Sequence, residues 1–570
     1  MSRSLILPFA SLAALVAAAA MPGSAHAQTM GYEGVDAAGG NASEPAPYSP
    51  GRSGKRQGKG GKRIDIAPYI EVDQIVTAQI TPGDEVLTYT QLAAGVDAAI
   101  TGRNNGASVS VRYERQIGWG GNSRDGDAIS GIARGYATVL PGLTLEAGGL
   151  ATRANIDNGG FGLGRASDNA RTDVYSVYGG PSFATRAGDL NLNANYRAGY
   201  TKVDQSNSYD TLPGNLNLDV FDESVVQLAD VEAGFAPGTL LPVGIGAAGS
   251  FYQEDVSNLD QRARDMQARA LVTVPLGRTL QAVGAIGYED VEISSRDAVR
   301  DANGVPVIGS DGRYVTDKSA PRVLAYDVDG LLWDVAVMWR PSRRTSLSAH
   351  VGRRYGSTSF GGTLSYAPND RSQLSVSVYD NIAGFGGQLN RFIDALPDDF
   401  DAVRDPVSGD LNGCVASLEG SNCFSGALGS LRSSVFRARG VAGSYSVNIA
   451  GLNAGVGVGY DRRKFIGARG TVLESANGVI DETYWLAAYV SGQLGRDAGW
   501  TANAYANWLS TNDAVFGDGA SYGGSASYYR LLTQRLRASL AVAIDGTSRD
   551  VPGIDDIWTA SALAGLRYHF

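Results

Sequence analysis

From Ile64 to Phe570 the apolar residues recur at every second position, in segments of about ten residues, and no apolar run reaches about 18. A period of two dictates β-strands with two chemically different faces, and the missing long runs exclude membrane-spanning helices. In the final segment Trp558, Ala560, Ala562, Ala564, Leu566, Tyr568 and Phe570 share one face, with Arg567 and His569 on the other. In the first segment Ile64, Ile66, Ile70, Val72, Val76, Ala78 and Ile80 oppose Asp65, Glu71, Asp73, Thr77 and Gln79. Near Trp119 the split is clearer still: Val109, Val111, Tyr113 and Ile117 face one way, and Ser108, Ser110, Arg112, Glu114 and Gln116 the other.

What joins these segments separates a barrel from a sandwich. Tight turns such as Leu140-Pro141-Gly142, Pro237-Gly238, Pro341-Ser342-Arg343-Arg344 and Ala450-Gly451 alternate with longer polar connections. The clearest of the latter are 153–171, 203–223, 291–322, 380–433, 465–481 and 546–556, whereas those near 81–85 and 356–358 are short. A sandwich gives no reason for such alternation, while a barrel with short periplasmic turns and long external loops requires it. The fold class is therefore all-β: a transmembrane antiparallel up-and-down β-barrel of about 22 strands, range 18–24. An even count puts both ends on the periplasmic side, and the last strand must pair with Ile64–Ile80 to close the wall.

The amino-terminus agrees with export. Arg3 precedes an apolar run from Leu5 to Ala20 and a small-residue site ending at Ala27, so residues 1–27 are expected to leave as a signal peptide. Residues 28–63 are rich in Gly, Ser, Pro and Ala and carry a basic cluster from Arg52 to Arg63. They form a periplasmic extension without a core of its own. Residues 64–570 are the barrel, placed in the cell outer membrane. Formal charge of −10, one unit more negative without Arg3, argues against nucleic acid as a partner. The 75 glycines and 27 tyrosines, scattered through alternating segments, suit tilted strands with interfacial aromatic girdles.

The polar face carries charges of both signs, which are costly in a membrane unless they meet water or each other. Arg112, Glu114, Arg197, Asp230, Glu232, Arg269, Asp334, Arg340, Arg354, Arg463 and Arg537 are the candidate pore-lining residues. Interleaved signs argue against strong ion selectivity. So wide a barrel needs something to narrow it, and the 380–433 segment has the means: Phe392, Ile393, Leu396, Pro397 and the run Asp398-Asp399-Phe400-Asp401. It folds either inward as a constriction or outward as a cap. Cys414 and Cys423, the only cysteines, are expected to form a local disulfide within it, given an oxidising compartment. The 291–322 segment, with Asn303-Gly304 and Asp311-Gly312, reads as a small external hairpin.

Catalysis finds little support. His350 shares a face with Ser346 and Ser348, roughly 13 and 7 Å away by strand rise, with Asp334 on the preceding strand. No nucleophile elbow, zinc motif or phosphate loop stands in a suitable context, so no catalytic, cofactor or metal residue is assigned and no enzyme is expected.

Two stretches carry resemblances. A terminal strand ending on Tyr568 and Phe570 resembles the last strand of bacterial outer-membrane barrels, which implies recognition of that end by the barrel-assembly machinery. Trp339-Arg340-Pro341-Ser342-Arg343-Arg344-Thr345, followed by Gly352-Arg353-Arg354-Tyr355, resembles a proteobacterial outer-membrane β-barrel porin family, including exopolysaccharide- and sorting-system-associated barrels. The sharp match covers about 30 residues and implies location and architecture more than cargo. The expected function is an outer-membrane channel for hydrophilic solutes or an exopolysaccharide. The alternatives are a structural or assembly-associated surface barrel with a loop-closed lumen, and a barrel hydrolase around His350. Lipid is the surrounding partner, and the oligomeric state stays open.

Overall fold

Strands with one apolar face and one polar face can bury neither in a single layer, unless the sheet closes with lipid outside and water or protein inside. The computed structural model does this. It describes residues 63–570 except 84, 121–124, 156–170, 206–220, 398–399, 417–421, 424–431, 514–516 and 551–554. The proposed leader and most of the extension lie outside the described residues, as do the side chains of Cys414 and Cys423.

Twenty-two strands form one antiparallel sheet, each paired with its neighbours in sequence. The first, Arg63–Thr81, closes against the last, Ile557–His569, in a register running from Tyr69 opposite His569 to Ala78 opposite Ala560. Closure pairs the first strand on both sides from Tyr69 onward, so the sheet has no open edge along the seam. Polar contacts reinforce that seam on the inner face: Thr77 and Ser561 hydroxyls meet at 3.0 Å, and Arg567 Nη2 donates to Glu71 at 2.9 Å. The expected count, closure and parity all hold.

The alternation assigns the faces as expected. Ile70, Val72 and Val76 are exposed outward, whereas Tyr69, Glu71, Asp73 and Ile75 are buried inward. Two-residue turns join strands at one end, among them Pro141-Gly142, Arg343-Arg344 and Ala450-Gly451. There Gly142 and Gly451 take φ of +83° and +84°, which the tight reversal demands and a side chain resists. The connection at Pro237-Gly238 is longer than its sequence suggests, spanning 236–243.

The other end carries the long connections. Residues 296–322 form not one hairpin but a three-segment meander. Bridges pair Arg300 with Pro306, Ile308 with Tyr314 and Ala298 with Thr316, with Gly304 and Gly312 at the two turns. The meander is tied to its neighbours: Leu259, Ala298 and Leu473 pack together, and Asp297 Oδ1 accepts the Val472 amide at 2.9 Å.

Candidate functional site

The strand Ser372–Ala383 ends at Gly384 and runs directly into a helix, Phe385–Asp394, which lies inside the barrel. Phe385, Leu389 and Ile393 are spaced at i, i+4 and i+8, so one helix face is apolar, and all three are fully buried. They meet an apolar patch on the inner wall, including Ile132, Leu150, Val174, Val203 and Val256, with the Phe221 and Phe385 rings 5.0 Å apart. Leu396, Phe400 and Leu411 extend the same core, and Phe392 packs against its rim. The 380–433 segment therefore turns inward.

The helix start is capped by the wall. Gly384 has no side chain to satisfy the first amides, and Glu254 supplies the acceptor instead. Its carboxylate accepts the Gly384 amide at 2.6 Å and the Gly387 amide at 2.9 Å, while Tyr252 Oη donates to it at 2.5 Å. Contact is so close that a Cβ on Gly386 would stand 2.0 Å from Ser224 Oγ, and one on Gly387 2.0 Å from Tyr252 Oη. At the other helix end Asp394 pairs with Arg197 at 3.2 Å. Burial pushes the Asp394 carboxyl above its ordinary value of 3.8, although Arg197 and Arg134 pull the other way.

Beyond the helix the segment crosses the lumen. Arg404, on the short strand Asp401–Arg404, donates to Ser130 Oγ at 2.7 Å and to the Ser110 carbonyl at 3.1 Å. The Arg404 carbonyl accepts from Asn503 Nδ2 at 3.4 Å, reaching another part of the wall. Asp410 takes Arg153 at 2.8 Å, and Val407 packs among Ile75, Ala541, Ala543 and Leu563 beside the closing seam. The returning chain is fixed by Arg432, paired with Asp481 at 3.2 Å and Asp513 at 3.0 Å. Cys414 and Cys423 stand directly opposite each other in the small inner sheet; their side chains, and so the proposed disulfide, lie outside the described residues.

The sequence-assigned pore residues all fall at inward positions, but much of their charge is spent on one another. Arg112 bonds Glu71 and approaches Glu114 at 3.3 Å and Asp73 at 3.6 Å; Glu114 also takes Arg153 and Gln91. Arg197 reaches Glu146 at 3.0 Å, Arg269 reaches Asp334 at 3.3 Å, and Arg354 reaches Asp265 at 2.6 Å. Arg463 pairs with Asp461 at 2.7 Å beneath the Phe436 ring. Arg537 stacks over Tyr529 at 4.9 Å, and Asp230, Glu232 and Arg340 are half-buried. These pairs stiffen the wall and seat the segment rather than lining open water. Elsewhere the wall is neutral and hydroxylated: Ser348 meets Thr363 at 3.1 Å, and Thr501 meets Ser527 at 2.7 Å.

Around His350 the described residues do not assemble a Ser/His/Asp triad: among them Nδ1 of His350 finds no hydrogen-bond partner, Ser348 faces Thr363, and the Asp334 carboxylate takes Arg269. Sequence reasoning missed Glu254, Tyr252, Arg153, Arg404 and Asp410. A usable signal was Phe385-Gly386-Gly387 followed by Leu389 and Ile393, an apolar helical stripe opening on a doubled glycine.

Outside, tyrosines mark the interface at the long-loop end. Tyr113 donates to Asp127, Tyr288 to Asp329 and Tyr460 to Glu482, each at 2.8 Å. Ring in lipid and hydroxyl on a carboxylate is the arrangement of an aromatic girdle. The chain is a β-barrel of the outer membrane. Among the described residues no helix is long and apolar enough to cross a membrane.

No family model and no curated protein matches the chain. Among solved structures, it is similar to the FrpB iron transporter from Neisseria meningitidis (F5-1 variant). The two share 11% identity over 90% of this chain and 83% of that one, with a TM-score of 0.40. The open form of the ferric-catecholate import receptor Fiu from E. coli K12 gives 10% identity, coverage of 88% and 81%, and a TM-score of 0.42. FauA, the alcaligin outer membrane receptor from Bordetella pertussis, gives 12%, 88% and 76%, and 0.36. Likeness at this level fixes neither a family nor a cargo.

Proposed function

We propose that this barrel is an outer-membrane channel for small hydrophilic solutes, held largely closed at rest by the 384–435 segment. The observation that carries the reading is the docking of that segment. It is fixed to the inner wall by a borrowed helix cap, ion pairs and an apolar core, rather than folded outward. The hydroxylated part of the wall, around Ser348, Thr363, Thr501 and Ser527, is the surface a polar solute would follow. An exopolysaccharide, the larger cargo considered from the sequence, would pass only with the segment displaced.

A lumen that stays shut, in a barrel serving a structural or assembly role at the surface, is the second reading, favoured by the same tight docking. We read the protein as non-catalytic, because Ser348 and Asp334 are engaged with Thr363 and Arg269. Planar-bilayer recording separates the readings. The channel reading expects rare or small steps from the intact protein and large ohmic steps after deletion of 385–430. Absence of steps from both, with barrels folded by heat-modifiable gel migration, would refute it.

A further inference from the structure

One seam of the wall is not held by backbone bonds over its full height. Strands Ser357–Asn369 and Ser372–Ala383 pair from Asn369 opposite Ser372 up to Gly362 opposite Val378, and no farther among the described residues. Above that level 357–361 pairs only with Thr345–Arg354, and 379–383 only with Phe436–Ile449. The register across Val351, Val335 and Trp333, all exposed outward, puts this split inside the lipid band.

The two edges overlap instead of pairing. Asp380 and Ile382 continue the outward register of Val378, opposite the exposed Val441, yet both are buried. Arg439 stands opposite Asp380 and Arg437 opposite Ile382, and both arginines reach across the split. Arg437 pairs bidentately with Asp380 at 2.7 Å and donates to Ser357 Oγ at 2.6 Å. Arg439 pairs with Asp380 at 3.1 Å and donates to the Thr358 carbonyl at 2.9 Å. An unpaired backbone carbonyl in lipid is costly, and here a side chain satisfies it, so the seam is closed by a clasp that can release without breaking a ladder.

Directly behind the clasp lies an apolar cluster on the inner wall. Ile382 and Tyr355, the latter stacked 4.9 Å from Arg437, belong to a cluster with Val226, Ala263, Val291 and Val435. Two guanidiniums share the one carboxylate of the clasp at the edge of this cluster, while Arg354, Asp265 and Glu289 pair with one another behind it.

We infer that this seam is a lateral opening through which the lumen takes an anionic acyl amphiphile of the outer leaflet, its chain in the apolar cluster and its head on Arg437 and Arg439. Such a route is distinct from solute passage along the lumen and does not depend on it. The test is photocrosslinking in intact cells with p-benzoylphenylalanine at Ile382, at Val435, and at Leu389 on the inner helix as control, with adducts identified by mass. Expected are lipid adducts at 382 or 435 but not 389, rising several-fold in D380A, which releases the clasp and frees both arginines, with folding verified by heat-modifiable migration. The opening is overturned by no lipid adduct at 382 or 435 in either background, by equal labelling at 389, or by adducts that D380A leaves unchanged or lowers.

Discussion

Glu254 caps a helix to which it does not belong: its Oε1 accepts the Gly387 amide at 2.9 Å across 133 residues of sequence. A carboxylate at a helix N-terminus meets free amides and the positive end of the dipole, and here it also pins the crossing segment to the wall. Glu254→Gln keeps the shape but weakens two charge-assisted bonds, at about 1–3 kcal/mol. Faster hydrogen exchange over 385–394 and more frequent channel opening are expected; unchanged exchange would show that the apolar face alone holds the helix.

Gly387 is a steric requirement as much as a capping donor. Gly387→Ala places a methyl 2.0 Å from Tyr252 Oη, so the helix must lift, at roughly 1–3 kcal/mol. Removing the hydroxyl relieves the closest contact and leaves Glu254 Oε2 at 2.5 Å, so the double variant G387A/Y252F should recover part of the loss. Additive losses in a double-mutant cycle on thermal unfolding would contradict the contact.

Docking should respond to pH with a definite sign. Burial raises the Asp394 carboxyl above its ordinary 3.8. A carboxyl whose docked value lies above its free value favours docking most when protonated. Its contribution is therefore full below 3.8 and is lost as pH rises through the raised value. Channel opening should thus fall on acidification from neutral pH, and D394N should flatten that response. Asp297 behaves oppositely. Burial pushes its carboxyl up, but bonds from Arg300 and the Val472 amide outweigh this and hold it below 3.8, so the outer loops loosen only in stronger acid. Protease cleavage within 296–322, followed down through that range, checks this.

Closure of the barrel depends on a small residue. A Cβ on Gly565 would lie 1.8 Å from Asp73 Oδ1, beside the Glu71–Arg567 pair that links the first and last strands. Gly565→Ala should lower the temperature at which the unheated gel form is lost, and adding D73A should restore part of it. A lone G565A with wild-type heat stability would mean the seam has slack.

Much of the wall was legible beforehand, and particular residues show why. Ile70, Val72 and Val76 against Glu71 and Asp73 could be sorted by counting in twos, because strand geometry sends neighbours to opposite faces whatever surrounds them. The charges at Arg112, Arg197 and Arg354 were placed inward by the same arithmetic. Their partners were only partly visible, because Asp394, which takes Arg197, arrives from a segment whose direction the alternation does not encode. The meander at 296–322 was half legible: both glycine turns were recognised, but not that each reverses the chain separately.

The sequence by itself determined the strands, the faces, the parity of the turns and the meeting of Arg63–Thr81 with Ile557–His569, since all of these follow from local periodicity and an even count. Only the tertiary structure decided where the 384–435 segment goes and how one seam is sealed. Those outcomes rest on contacts such as Glu254 with Gly384, 130 residues apart, and Arg437 with Ser357, 80 apart. Which side chains face each other across a closed wall is fixed by closure itself, and no local pattern records it.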